Sequence, residues 1–230
     1  MTASGLSPLV DPILGALGIE HGFGQRETAA PEDTSFRKQV HGTNVSVATE
    51  SRATDEPADA VVTCVGGVSV GIVTADCVPI LVASENGVGV AAIHAGWRGL
   101  AAGVIEAGVE KLRAEAGQRS LVAAIGPAAR GCCYEIDEPV WLGLGARYGV
   151  ALEDEAILRP TEPGHAMLDL AALAARALEK CGLKTTKIGY THCLCTICSP
   201  DRFESFRRDG ATAGRLRHYI RSKAASFGQG

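Results

Sequence analysis

Thr74-Ala-Asp76-Cys77-Val-Pro-Ile-Leu-Val-Ala-Ser-Glu-Asn86-Gly87-Val-Gly-Val-Ala-Ala-Ile-His94-Ala-Gly-Trp97-Arg98-Gly99 is the stretch whose reading decides the fold. Two apolar runs, Val78 to Ala83 and Val88 to Ile93, flank Asn86-Gly87, the dipeptide with the strongest short-range hairpin signal. A two-residue turn there sets Glu85 opposite Val88, which puts His94 opposite Pro79 and Cys77 opposite Gly96. That offset of two keeps Cys77 and His94 on one face at the open end of the hairpin, diagonal neighbours about 7–8 Å apart at the backbone. Side chains leaning together from that spacing can share one metal ion, at about 2.3 Å for a thiolate and about 2.1 Å for an imidazole. A slip of one residue would send them to opposite faces, so the register carries the inference.

Downstream, Ala95-Gly96-Trp97-Arg98-Gly99 runs into residues 100–116, with apolar Val104, Ala107, Val109 and Leu112, and predicts a helix starting near Arg98. A glycine-containing strand-to-helix turn points free N–H groups at whatever lies there, and the helix dipole favours an anion. Arg98 adds a fork suited to phosphate or carboxylate. The expected constellation is a metal position beside an anion position.

Size and composition set the frame. A chain of 230 residues, 46% hydrophobic and 21% charged, is ample for one core and unlike a disordered chain. A formal charge of −4 without a Lys/Arg run argues against nucleic-acid binding. The N-terminus lacks a basic region followed by an apolar run, so no signal peptide is expected. The apolar zone 60–83 is broken by Gly pairs, Thr, Ser and Asp76, which marks successive buried strands and not a membrane span. Eight cysteines without an export signal are expected to be reduced, in a cytoplasmic protein, and available as ligands or catalytic groups.

In chain order, residues 1–20 read as a loosely attached lead-in, 21–220 as the single domain and 221–230 as a tail. His21 is expected to be structural, and 27–35 a polar loop. Phe36-Arg-Lys-Gln-Val-His41-Gly42-Thr-Asn44 places His41 before a turn. A histidine there is ordinarily a surface residue; it enters the argument as the third ligand that an open, catalytic zinc position requires. Strands are expected at 45–49, 58–63, 68–73, 120–125, 187–191 and 213–220, and helices at 137–148 and 168–181. Residues 153–164 read as an acidic loop. Asp76 can orient a ligand imidazole, accept a proton, or simply stabilise its turn. Adjacent Cys132 and Cys133 are expected to pack. His192-Cys193-Leu-Cys195-Thr-Ile-Cys198 is a rival metal or redox site, weakened because no second ligand pair is evident at a distance. Arg207 and Arg208 read as makers of salt bridges at the core's rim, with a place near an anionic ligand as the alternative. No Walker A loop, dinucleotide fingerprint or nucleophile elbow is present.

Lys38-Gln-Val-His41-Gly, Thr74-Ala-Asp-Cys77-Val-Pro, His94-Ala-Gly-Trp-Arg-Gly99, Cys132-Cys-Tyr-Glu and Ser205-Phe-Arg-Arg-Asp-Gly, in that order, resemble the signatures of the laccase-domain family. His21-Gly-Phe-Gly-Gln-Arg26 is similar to its N-terminal signature. That family was first described as multicopper polyphenol oxidases and later as zinc-dependent purine nucleoside phosphorylases with adenosine deaminase activity. The resemblance implies that His41, Cys77 and His94 are metal ligands. It also implies an α/β fold, a single domain with mixed β-sheets flanked by helices, akin to the catalytic domain of cytotoxic necrotizing factors. The expected partners are purine nucleosides (adenosine, inosine, guanosine, methylthioadenosine) and inorganic phosphate, with Zn2+ as cofactor and Asp76 and Arg98 as catalytic candidates. Two readings compete. A copper polyphenol oxidase that reduces dioxygen needs many histidine ligands, and the chain has six histidines in all. A cysteine hydrolase acting on cell-wall precursors or amides would use Cys77 as nucleophile and His94 as base.

Overall fold

The computed structural model describes residues 6–190 and 194–224. Helix α1 (Pro12–Ala16) precedes β1 (His21–Gly22), β2 (Thr34–Ser35), β3 (Val45–Val47), β4 (Ala60–Thr63) and β5 (Ser69–Thr74). The hairpin β6 (Val78–Ser84) and β7 (Val90–Ala95) follows, then α2 (Trp97–Ala102), α3 (Val104–Ala116) and β8 (Leu121–Ile125). The last part holds β9 (Glu135–Asp137), α4 (Glu138–Tyr148), β10 (Leu158–Pro160), β11 (His165–Leu168) and α5 (Leu170–Lys180). It closes with β12 (Ile188–Gly189), the single-turn α6 (Phe206–Asp209) and β13 (Leu216–Arg221).

A mixed six-stranded sheet, in the order β12-β8-β6-β7-β4-β3, forms the middle layer. Its two central strands are apolar at almost every position because both faces are covered. On β6, Val78, Ile80 and Val82 pack with Ile105, Val109 and Leu112 of α3 and Leu173 and Leu178 of α5. Leu81 and Ala83 point the other way, toward Val70 and Ile72 of β5 and Ile220 of β13. Those two strands belong to a second sheet of four, in the order β1-β13-β5-β2. The layers are therefore helices, six-stranded sheet and four-stranded sheet, with a small antiparallel sheet β10-β11-β9 at the side.

The hairpin has the expected register, with Pro79 opposite His94 and Val78 opposite Ala95. Its loop is longer than the expected two residues. Ser84 bonds to Gly89, the Gly87 N–H reaches the Ser84 carbonyl at 2.8 Å, and the Asn86 side chain takes the Val88 N–H at 3.1 Å. Only Gly87 has positive φ, so the turn is not of the type that needs two such residues. Extending the loop by one residue on each side leaves the pairing, and hence the facing, unchanged.

Three further differences have local causes. The helix expected over 98–116 is two helices, broken where Gly103 adopts φ 98°. The Arg147 guanidinium fills the space beside that glycine and donates to the last carbonyls of α2, Ala101 and Ala102. The loop 153–164 contains β10, an exposed edge strand whose weak apolar pattern hides it. The lead-in is not loose: Asp11 caps α1, and Leu14 is fully buried against the core.

Two histidines serve the frame. The Nε2 of His21 accepts the Asp11 N–H at 2.8 Å, and its Nδ1–H donates to the Ile19 carbonyl at 2.8 Å. The Nδ1 of His218 accepts the Gly24 N–H, which leaves Nε2–H to donate to Thr74 Oγ1 at 2.8 Å. Protonating His218 would set a second donor against the Gly24 N–H. Burial, reinforced by the charge of His94, lowers its pKa to about 3. An unfolded histidine titrates near ~6.5, so between those values the unfolded chain binds one proton more. Stability from this group is complete above the unfolded value and declines, at up to about 1.4 kcal/mol per pH unit, as pH falls toward 3. His218→Asn should remove that component of the slope, read as denaturant midpoints across the acid range.

Candidate metal centre and active site

Three chain segments meet at the open end of the hairpin. His94 is the penultimate residue of β7, and Cys77 immediately precedes β6. His41 comes from the turn before β3, in the left-handed conformation at φ 59°. The Cys77 Sγ lies 3.9 Å from His41 Nε2, and the two imidazoles meet edge to face with centroids 4.8 Å apart. One ligand atom from each of the three falls within 4.8 Å of the others. A sulfur and a nitrogen on one tetrahedral zinc stand about 3.6 Å apart, so the donors have the right spacing and chemical type.

Asp59 organises this site, and the sequence reading passed over it. It is completely buried just before β4. Its carboxylate accepts the N–H groups of Val40, His41 and Gly42 at 3.2, 2.9 and 2.7 Å. The same carboxylate accepts Nδ1–H of His94 at 2.8 Å. One anion thus fixes the backbone under His41 and the orientation of His94, leaving Nε2 of His94 to face the ion position. The signal was available: a lone carboxylate heading the apolar run Ala58-Asp59-Ala60-Val61-Val62 must be paired if that run is a buried strand.

The electrostatics follow from these contacts. Burial raises the Cys77 thiol, but hydrogen bonds with His41 and His94 outweigh it and bring it down to about 7. Burial opposes a charged His94, yet its bonds to Asp59 and Cys77 carry it up to about 9. Burial likewise opposes a charged Asp59, while His94 and the backbone N–H groups bring it below the usual carboxylate range. A bound cation takes Cys77 as thiolate and both histidines as neutral imidazoles. His94 can then keep its Nδ1 proton for Asp59.

Gly96 shows how closely the cradle fits. A Cβ there would stand 2.9 Å from Cys77 Sγ and 3.0 Å from His41 Cδ2. Its backbone lies at φ −76°, open to any residue, so what excludes a side chain is the crowding of the ligands.

Asp76 lines the same cavity without touching either imidazole of the trio. Its two oxygens accept Thr196 Oγ1–H at 2.6 Å, Ser205 Oγ–H at 3.0 Å and the Arg207 N–H at 2.6 Å. Asp59, not Asp76, orients a ligand imidazole. Asp76 instead ties two distant loops to the strand that carries Cys77. The cavity, about 590 Å³, is also bounded by Arg98, Arg207 and Arg215. Arg98 is exposed, with its guanidinium 4.4 Å above the Trp97 ring. Arg207 stacks 4.7 Å from the Tyr134 ring and donates to the Glu135 carbonyl. The expectation of rim salt bridges holds for Arg208, which bonds to Asp209 and to the carbonyls of Thr196, Ile197 and Phe203. Arg207 belongs to the cavity.

The packing expected of Cys132 and Cys133 is overturned. Their sulfurs face Cys198 at 3.5 and 2.9 Å, and the four sulfurs of Cys132, Cys133, Cys195 and Cys198 lie within 4.8 Å of one another. The pair at a distance that Cys195 and Cys198 lacked in the sequence is this adjacent pair, and the four could hold a metal ion. His192 and Cys193 lie outside the described residues.

Fold and site together define a mixed α/β protein with two histidines and one cysteine, placed so that they could hold a metal ion, at one end of its central sheet. The chain matches the family described as multi-copper polyphenol oxidoreductase laccase over residues 23–223, and it belongs to that family. A Xylella fastidiosa protein named purine nucleoside phosphorylase is 40% identical over 184 residues, covering 78% of this chain and 68% of its own. A Streptomyces coelicolor purine nucleoside phosphorylase is 37% identical over 219 residues, covering 90% and 85% respectively. Among solved structures, YlmD from Geobacillus stearothermophilus is similar with a TM-score of 0.75 and 32% identity, over 84% of this chain and 74% of that one. Among the described residues no helix is long and apolar enough to cross a membrane.

Two substitutions test the centre. Gly96→Ala should weaken zinc binding by tenfold or more, measured by competition with a chromophoric chelator, as the new methyl group displaces both ligands. Asp59→Asn should lower zinc affinity by about 10–100-fold, the range for lost outer partners of a ligand histidine. It should also lower the melting temperature, because an amide cannot accept all four donors.

Proposed function

We propose that this chain is a zinc-dependent purine nucleoside phosphorylase that also deaminates adenosine, with adenosine, inosine, guanosine and methylthioadenosine as its substrates. The observation that carries this reading is that His41, Cys77 and His94 share one cavity with Arg98, Arg207 and Arg215. The names of the relatives support the substrate class.

Phosphorolysis breaks the N-glycosidic bond through a cation-like sugar, so phosphate must sit beside C1′. Arg98, stacked on Trp97, presents a guanidinium whose fork matches phosphate oxygens. Arg207 and Arg215 add positive charge across the same space. Phe206 is 55% exposed and lines the cavity, offering an aromatic face to a purine. His41, Cys77 and His94 would hold a zinc ion, which when bound would supply Lewis acidity and lower the pKa of a water toward about 7. Asp59 holds the Nδ1 proton of His94, which fixes the nitrogen offered to the ion. Asp76 acts as a positioning residue: its bonds to Thr196, Ser205 and the Arg207 N–H set the wall that carries Arg207.

The donor set also bears on the copper reading. Two histidines and one cysteine are the ligands of blue-copper sites, whose weak axial ligand is Met, Gln or a backbone oxygen. Met167 lines a different cavity, and the Gln39 amide is engaged at both atoms by the Val73 backbone at 2.7 Å, so the open position is the better account of this donor set. A nucleophilic Cys77 is the second alternative, favoured by the 3.9 Å approach to His41 Nε2.

The deciding experiment supplies zinc-replete protein with inosine or adenosine, with and without phosphate. Hypoxanthine release from inosine is expected only with phosphate, and ammonia from adenosine. Chelation should abolish both and zinc restore them. His41→Ala, which removes a ligand itself, should reduce both by more than the roughly 10–100-fold that loss of an outer partner costs, and Arg98→Ala should raise KM for phosphate without removing deamination. Neither free base nor ammonia from metal-replete protein would overturn the proposal. Activity that survives chelation but not thiol alkylation would assign Cys77 the nucleophile's part.

A further inference from the structure

We propose that Cys132, Cys133, Cys195 and Cys198 form a second metal site, a closed four-cysteine centre for a divalent cation of the zinc class that clamps two loops of the active-site wall. The ligands come from two stretches without regular structure. Cys132 and Cys133 sit in the turn after Arg130, and Cys195 and Cys198 in the turn after Leu194. Four sulfurs around one zinc stand about 3.8 Å apart. The observed separations, from 2.9 Å upward and all within 4.8 Å, bracket that value. No pair of the four is disulfide-bonded.

Cys195 has the environment of a metal thiolate. Its side chain is buried, and its sulfur accepts the N–H groups of Cys198 and Arg130. A Cys-x-x-Cys turn whose later N–H donates to the earlier sulfur is arranged for a ligand pair. Cys132 and Cys198 are exposed and Cys133 is partly so, which leaves the cluster open to an ion from solvent. A divalent ion would bind the four as thiolates by displacing their protons.

The site is structural, because four protein thiolates leave no position for substrate. Backbone pairing between the loops is slight: a single bridge, with the Ala128 N–H to the Leu194 carbonyl at 3.2 Å and the Thr196 N–H to the Ala128 carbonyl at 3.0 Å. Yet these loops carry Tyr134, against which Arg207 stacks, and Thr196, which donates to Asp76. A metal cross-link there would hold the cavity wall in register with the first centre.

The test is metal analysis of the full chain purified under reducing conditions, with cobalt(II) as spectroscopic probe. Wild type should carry two zinc ions per chain. The double variant H41A/C77S and the double variant C195S/C198S should each carry one. Cobalt bound to H41A/C77S should show the intense thiolate-to-metal charge-transfer band of a four-sulfur site, a measurement that does not depend on the cysteine variants folding. The proposal is overturned if H41A/C77S binds no cobalt with that signature, or if mass spectrometry of the unreduced protein finds any two of these cysteines joined as a disulfide. Neither measurement uses nucleoside activity, so the outcome is independent of the reading of the first centre.

Discussion

A buried carboxylate between two imidazole-bearing segments is the constraint on which the rest of this structure depends. Asp59 has no access to water, so every one of its lone pairs must be answered from within the protein. Three successive N–H groups of residues 40–42 and the His94 ring do so. The left-handed conformation of His41 follows from that demand: bending the backbone around an anion turns consecutive N–H groups inward and directs the His41 side chain toward Cys77. The result is a ligand set held in place before any ion arrives.

The two-sided burial of the central sheet makes this possible. Because β6 and β7 are covered by helices on one face and by the four-stranded sheet on the other, their register has no freedom to slip. Cys77, His94 and Asp59 share the face that looks toward the second sheet, at the end where that sheet stops covering it. The cavity opens there, between the strand ends and the loops carrying Tyr134 and Arg207. Rigid strands therefore supply the ligands, and loops supply the groups that would meet substrate.

The two cysteine-containing clusters differ in their donors and in their surroundings. The first mixes nitrogen and sulfur donors and faces a cavity of about 590 Å³. The second is all sulfur and brings together the turn that holds Cys132 and Cys133 and the turn that holds Cys195 and Cys198. Asp76 and Thr196 connect them: Thr196 follows Cys195 in the chain, and Asp76 precedes Cys77. A hydrogen bond of 2.6 Å from Thr196 to Asp76 joins the loop of one cluster to the segment that carries the other.

What the sequence by itself determined were the features that rest on local periodicity and short-range pairing. The two apolar runs Val78 to Ala83 and Val88 to Ile93 about Asn86-Gly87 set the register, and the register places Cys77 and His94 together even though the loop is longer than the dipeptide suggested. Helix α5 was equally plain from its Leu and Ala spacing. What only the tertiary structure decided were the partners separated by long stretches of chain. Asp59 with His94, Asp76 with Ser205, and Cys132 and Cys133 with Cys198 are contacts whose geometry depends on how layers stack and where loops return. No local pattern encodes such a meeting: a residue's own neighbours determine which way it faces, and only packing determines what it finds there.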